Sequence, residues 1–249
     1  MATSPLHQFQ IEPIVPLSIG GVDVSFTNSA LWMVVAALLA TLLLTVGMGR
    51  KSLVPGRLQS VAELLYEFVA NMVRENGGEG AAKYLPLVFS IFIFILFGNL
   101  LGMIPGTFTF TSHIIVTFGL ALTVFLFVTI LALVKHGMHF FHFFAPGGVP
   151  KVLLLLIVPI EVISYFIRPV SLSIRLFANM MAGHTMLKVF AGFTIAMGTA
   201  LGAAGWAMGV LPIVINVALV GFEIMVAALQ AYVFAVLTCL YIKDALELH

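Results

Sequence analysis

The chain has 249 residues, 61% hydrophobic and 8% charged, with a mean hydropathy of +1.17 and a formal net charge of +1. So little polar surface cannot coat a soluble globule, and the near-neutral charge argues against nucleic acid as a partner. The single cysteine, Cys239, excludes an internal disulfide and any multi-cysteine metal site.

Residues 1–29 contain no Lys or Arg, so the apolar stretch after them lacks the basic n-region of a secretory signal and is expected to be retained. About 20 helical residues cross the hydrocarbon, which predicts spans at 30–48, 84–104 and 114–134. Between the first two, residues 58–75 put Leu58, Val61, Leu65, Phe68 and Met72 on a helical period with Glu63, Glu67 and Arg74 between them. That is the pattern of an amphipathic helix lying on the bilayer surface. The turn-rich stretch PGTFTFTSH, residues 105–113, separates the second and third spans.

Residues 150–190 read as one long helix. At 1.5 Å per residue it would be about 60 Å long, twice the hydrocarbon thickness, so it must tilt steeply or break. The glycine-rich connection AGFTIAMGTALGAAG leads into a second long apolar segment, 206–246. Packing suffices as a reason for Gly198, Gly202, Gly205 and Gly209, since small residues let helices approach closely. The expected fold is an all-α integral membrane protein: three ordinary transmembrane helices, one surface amphipathic helix and a long, steeply tilted two-helix hairpin, forming a single membrane domain over 1–249.

Orientation follows from the eleven Lys and Arg, which cytoplasmic loops concentrate. Arg50, Lys51, Arg57, Arg74, Lys83, Lys135, Lys151 and Lys243 fall on one predicted side and only Lys188 on the other, with Arg168 and Arg175 inside the membrane. The 1–29 segment is therefore expected outside and the C-terminus in the cytoplasm.

Within the first long helix, Glu161, Ser164, Arg168, Ser171, Arg175 and Asn179 are separated by three, four or seven residues. At about 100° per residue they share a stripe roughly 120° wide. The last helix repeats the device with Asn216, Glu223 and Gln230 at seven-residue intervals, and Tyr241 is a candidate further member. Charge inside a membrane costs a few kcal/mol or more and commonly marks an ion pathway, the alternative being a structural pair such as Arg168 with Glu161. Arg168 also directly precedes Pro169, whose missing N–H can kink the helix.

Two further motifs are weaker. GMGRKS at Gly47 to Ser52 lacks the order and spacing of a phosphate loop. His136, His139 and His142, beside Lys135 and four phenylalanines, fit a membrane-interface segment better than a metal cluster. No cofactor or metal is expected.

The segments PIEVISYFIRPVSLSIRLFANMMAGH and FEIMVAALQAYVFAVL resemble subunit a of the F-type (F1Fo) ATP synthase, the membrane stator that faces a rotating c-ring. The resemblance is dense from Lys135 through Leu246, including HFFHFFAPGGVP, and consistent in FGNLLGMIPG around Asn99. It implies a multi-pass protein of the bacterial inner membrane whose partners are the c-ring, the subunit b stalk and the rest of the F1Fo complex, with no nucleotide site in this chain. It further implies that Arg175 is the essential arginine, Asn179 its neighbour one turn on, and Gln230 the glutamine that faces it. His184 and Glu223 resemble the histidine and acid of the outer half-channel, with the two residue types exchanged between helices relative to some bacterial relatives. Glu161 and Ser164 resemble the opposite half-channel, and Arg168 and Asn216 are candidate supporting residues.

Elementary electrostatics supports those roles. An arginine stays protonated, so it cannot relay a proton, but it can hold a nearby carboxylate ionised. With no acid within four residues of it, Arg175 is expected to meet its neutralising acid on another chain. On a straight helix His184 lies nine positions from Arg175, about 180° around. Either a deformation near Gly183 or a channel along the far side of the helix is then needed for both to serve one mechanism. The alternatives are a self-contained proton or cation transporter or channel, and a structural scaffold; the two polar stripes argue against the scaffold.

Overall fold

In the computed structural model of the chain, residues 9–19, 22–49, 55–104, 106–138, 140 and 150–247 are described. Arg50, Lys51, His139 and His142, on which parts of the sequence reading rest, lie outside them. The chain is an all-α membrane protein, and among the described residues five helical segments are long and apolar enough to cross a membrane.

Before the first helix the chain forms two short antiparallel ladders, for which the sequence reading assigned no element. Strands β1 (Pro13–Val15) and β4 (Phe26–Thr27) pair, as do β2 (Ser18–Ile19) and β3 (Val22–Asp23) between them. The ladder is bolted to helix α1 (Asn28–Met48) by Asn28. Its amide donates to the Gln10 carbonyl at 3.1 Å and its carbonyl oxygen accepts the Glu12 N–H at 3.3 Å. Thr27 caps the helix, its hydroxyl accepting the Ala30 N–H at 3.3 Å.

Helix α2 (Arg57–Gly77) buries Ala62, Val69, Ala70, Met72, Val73 and Gly77 and leaves Glu63, Glu67 and Arg74 exposed. Helices α3 (Leu85–Gly102) and α4 (Ile114–His136) are apolar around their circumference, as a buried or lipid-facing helix must be. A six-residue 3-10 segment, Glu79–Tyr84, leads into α3.

Helix α5 (Lys151–Leu246) contains one non-helical residue, Gly202, at φ 59° and ψ −133°. The glycine-rich stretch expected to be a connection is therefore helical almost to its end, and the reversal is concentrated at one residue. A side chain at that φ would be strained, which is why a glycine carries the break. The break divides α5 into two apolar arms, Leu153–Gly202 and Ala204–Leu246. At 1.5 Å per residue the 50-residue first arm is about 75 Å long, more than twice the hydrocarbon thickness.

The chain forms two compact units. One comprises Met1–Thr41, Phe94–His113 and Leu176–Ala231, the other Leu42–Ile93, Ile114–Arg175 and Tyr232–His249. In the first, buried Phe110 packs against the ring of Phe94 at 5.4 Å, and fully buried Asn99 donates to the Ala227 carbonyl at 3.1 Å. Such an amide joins helices where lipid offers no hydrophobic drive. In the second, Phe68 of α2 lies against Phe92 at 5.8 Å and Tyr232 at 5.6 Å. The end of α5 is capped there by the end of α4. Lys135 Nζ donates to the Leu246 carbonyl at 2.8 Å and His136 Nε2 to the Ala245 carbonyl at 3.1 Å. Donors at this place answer the orphan carbonyls and negative dipole of a helix C-terminus.

Candidate functional site: a buried acid–imidazole pair beside a cavity

Two side chains of the first arm meet two of the second. Asn179 Nδ2 donates to Gln230 Oε1 at 2.8 Å, with Gln230 almost fully buried. About one and a half turns further along, His184 Nδ1 lies 3.1 Å from Glu223 Oε1. His184 is 8% exposed and Glu223 4%. That separation suits an ion pair, but the line of approach is not that of a hydrogen bond, and neither Glu223 oxygen has a hydrogen-bond partner among the described residues. A buried carboxyl group so under-satisfied is costly.

Space for the pair comes from Gly183, because a Cβ there would collide with the Glu223 carboxyl group. The sequence raised a deformation at this glycine as one way to bring His184 into line with Arg175. The backbone stays helical from Arg175 to Gly202 apart from that last residue, so His184 keeps its position about 180° around the helix. Its imidazole lies against Glu223 of the second arm.

The imidazole also lines a cavity of about 770 Å³ together with Lys188, Asn216, Asn28, residues 102–104 and residues 106–109. This is far above the roughly 10–15 Å³ that one water needs. Asn216 contributes a buried Oδ1 that has no partner among the described residues. The cavity thus combines room for water, polar wall groups and, on its wall, one member of the buried acid–imidazole pair.

In the other unit the first arm carries Arg168 and Arg175. Arg168 Nη1 donates to Asp244 Oδ2 at 3.0 Å, and its guanidinium lies 5.7 Å from the ring centre of Tyr165 and 5.2 Å from that of Tyr241. Tyr165 is held in turn by Thr129, hydroxyl to hydroxyl at 2.7 Å. The sequence offered Glu161 as the structural partner of Arg168; Asp244 is the acid placed on it, and Tyr241 joins the last-helix set as its aromatic neighbour. Arg175 is exposed and, among the described residues, has no hydrogen-bond or ion-pair partner. Glu161 is half-buried and Ser164 exposed, and neither side chain is hydrogen-bonded among the described residues.

Sequence reasoning missed Asp244 and Thr109, whose hydroxyl lies 2.9 Å from His184 Nε2. Asp244 had a signal, since it extends the Asn216, Glu223, Gln230 series by two further steps of seven. Thr109 had none, lying in a loop 75 residues from its partner.

A sequence profile for the ATP synthase A chain matches residues 30–243. The chain is 57% identical over 243 residues to ATP synthase subunit a of Parvibaculum lavamentivorans, covering 98% of this chain and 93% of that one. It is 57% identical over 243 residues to that of Mesorhizobium japonicum, with 98% and 96% covered, and 56% identical over 247 residues to that of Rhizobium etli, with 99% and 98% covered.

Proposed function

The chain belongs to the ATP synthase subunit a family, and from that premise we propose that it is the stator subunit of a bacterial F1Fo ATP synthase, coupling proton passage to rotation of a c-ring. It sits in the inner membrane as a non-catalytic subunit, beside the c-ring and the subunit b stalk. The 1–29 segment faces outside and the C-terminus the cytoplasm, as the distribution of basic residues requires.

The observation that carries the proposal is Arg175: a permanent cation on a membrane helix, exposed and without an acid of its own chain among the described residues. Ser164 and Ser171, three or four residues apart from it or from its stripe neighbours, are exposed on the same face and let another helix approach closely. A lipid-facing carboxyl group on a ring subunit is neutral in the bilayer and ionises on meeting the guanidinium. Arg175 then acts as a gate that blocks direct proton passage while admitting the ionised ring carboxylate.

The cavity with His184, Glu223 and Asn216 is the outer half-channel in this proposal, and Asn179 and Gln230 lie next along the pathway. Glu161 and Ser164 line the opposite half-channel, with Arg168 in support. Protons entering by one path must ride the ring to leave by the other, so flow and rotation become obligatory partners.

The test is ATP-driven proton pumping in inverted membranes. Arg175→Gln should abolish it with assembly intact, and Arg175→Lys should fail or be severely impaired, because a lysine can lose its proton and lacks the planar fork. Normal pumping by the lysine variant would overturn the proposal.

A further inference from the structure

Thr109 touches His184 at one ring nitrogen and the end of α3 at the same time. Its hydroxyl lies 3.2 Å from the Gly102 carbonyl and 2.9 Å from His184 Nε2. A hydroxyl has one proton to give, so it serves one of these neighbours as donor and the other as acceptor. The carbonyl can only accept. Gly102 is the last residue of α3, buried, with no following helical turn to supply an N–H. Giving the hydroxyl proton to the imidazole would take from that carbonyl its only side-chain donor among the described residues. The pairing that satisfies every group runs from His184 Nε2–H to the Thr109 oxygen and from the Thr109 hydroxyl to the Gly102 carbonyl.

The close approach is itself a property of the sequence. A Cβ on Gly102 would stand 2.5 Å from Thr109 Oγ1, so only glycine lets the threonine seat on the end of α3. Both Thr109 and Gly102 also line the 770 Å³ cavity that His184 faces.

We propose that Thr109 is a positioning residue that holds neutral His184 in the Nε2–H tautomer, leaving Nδ1 as the single site that takes up and releases the translocated proton. This rests on the reading of His184 and Glu223 as members of the outer half-channel. Nδ1 is the nitrogen that lies 3.1 Å from Glu223 Oε1, within reach but out of hydrogen-bond line, so the pair realigns for the transfer. A proton accepted at Nδ1 makes the imidazolium. Its transfer to a Glu223 carboxylate oxygen returns the neutral Nε2–H ring and leaves a neutral carboxyl group, so charge and protons balance. Without the hydroxyl the ring is free to adopt the Nδ1–H tautomer, which presents Glu223 with a proton that neutral imidazole does not release.

The groups facing His184 are Glu223 from the second arm, Lys188 from its own helix, Thr109 from the α3–α4 connection and the ring of Phe9, centroids 6.4 Å apart. Thr109→Val keeps the shape and removes the hydroxyl, whereas Thr109→Ser keeps the hydroxyl. In the assembled complex, ATP-driven pumping should fall about tenfold in Thr109→Val and stay near wild type in Thr109→Ser.

A second readout separates positioning from packing. In lipid-embedded complex labelled with 15N-histidine, the neutral His184 signal, isolated by difference from His184→Gln, should show Nε2–H in wild type and in Thr109→Ser, and gain Nδ1–H in Thr109→Val. An Nδ1–H ring in wild type, or an unchanged pattern in Thr109→Val, overturns the assignment. So does normal pumping by Thr109→Val where His184→Gln is impaired. Undiminished pumping by His184→Gln overturns the half-channel reading on which the assignment rests.

Discussion

Two acid–base pairs join the arms of α5, and they are built oppositely. Arg168 and Asp244 meet in line at 3.0 Å with side chains 26% and 47% exposed, and two tyrosines flank the guanidinium. His184 and Glu223 meet at a similar distance, yet the pair is buried, misaligned and leaves both carboxyl oxygens without hydrogen bonds among the described residues. The first arrangement is complete and partly wetted, which makes it a fastening. Incompleteness in the second suits the proton transfer proposed for it, because a group that is fully satisfied in one protonation state resists changing it.

The largest effect expected from breaking this contrast is at the buried pair. His184→Glu and Glu223→His each juxtapose like groups, and each should lower ATP-driven dye quenching in inverted membranes by at least about tenfold. The double exchange should recover part of that loss, a non-additivity restricted to residues that interact. Strictly additive losses would show that the two work separately.

A several-fold effect is expected at Gly183. Alanine there pushes its Cβ into the Glu223 carboxyl group, so pumping should fall while the helix, which favours alanine by up to about 1 kcal/mol over glycine, is locally no weaker. Combining Gly183→Ala with Glu223→Asp withdraws the carboxyl by one methylene and should restore part of the rate. Full activity in Gly183→Ala alone would mean that the position of the carboxyl is not critical.

The smallest effect is predicted for the fastening. Exposed ion pairs contribute about 0–1 kcal/mol and an exposed cation–π contact about 0.5–1 kcal/mol. Asp244→Asn should therefore cost less than about 1 kcal/mol and Arg168→Gln, which also loses two ring contacts, about 1–3 kcal/mol in thermal denaturation of the complex, each changing pumping less than twofold. A loss from either as deep as that of Arg175→Gln would place Arg168 and Asp244 among the working groups and erase the distinction drawn between the pairs.

Much of this was legible in the sequence because it depends on local spacing. Apolar length announced the spanning helices, a helical period with charges announced α2, and the Asn216, Glu223, Gln230 series announced a polar face. The hidden parts depend on glycine geometry and loops. The connection between the arms was read over fifteen residues, AGFTIAMGTALGAAG, whereas one residue, Gly202, makes the break. Five glycines in and around that stretch look alike in sequence, and only the tertiary arrangement selects which of them takes the positive φ.

What the sequence determined by itself is the solvent, the helices and the identity of the polar groups, since hydrophobic burial and 3.6-residue periodicity act over neighbouring positions. Partnership was decided by tertiary structure alone: Arg168 with Asp244 across 76 residues, Thr109 with His184 across 75 and Asn179 with Gln230 across 51. The reason is that the register of one arm along the other follows from the single break at Gly202 and from how closely the glycines let side chains approach. A shift of one turn, about 5.4 Å, would leave every helix and every polar stripe intact while giving each acid and base a different neighbour.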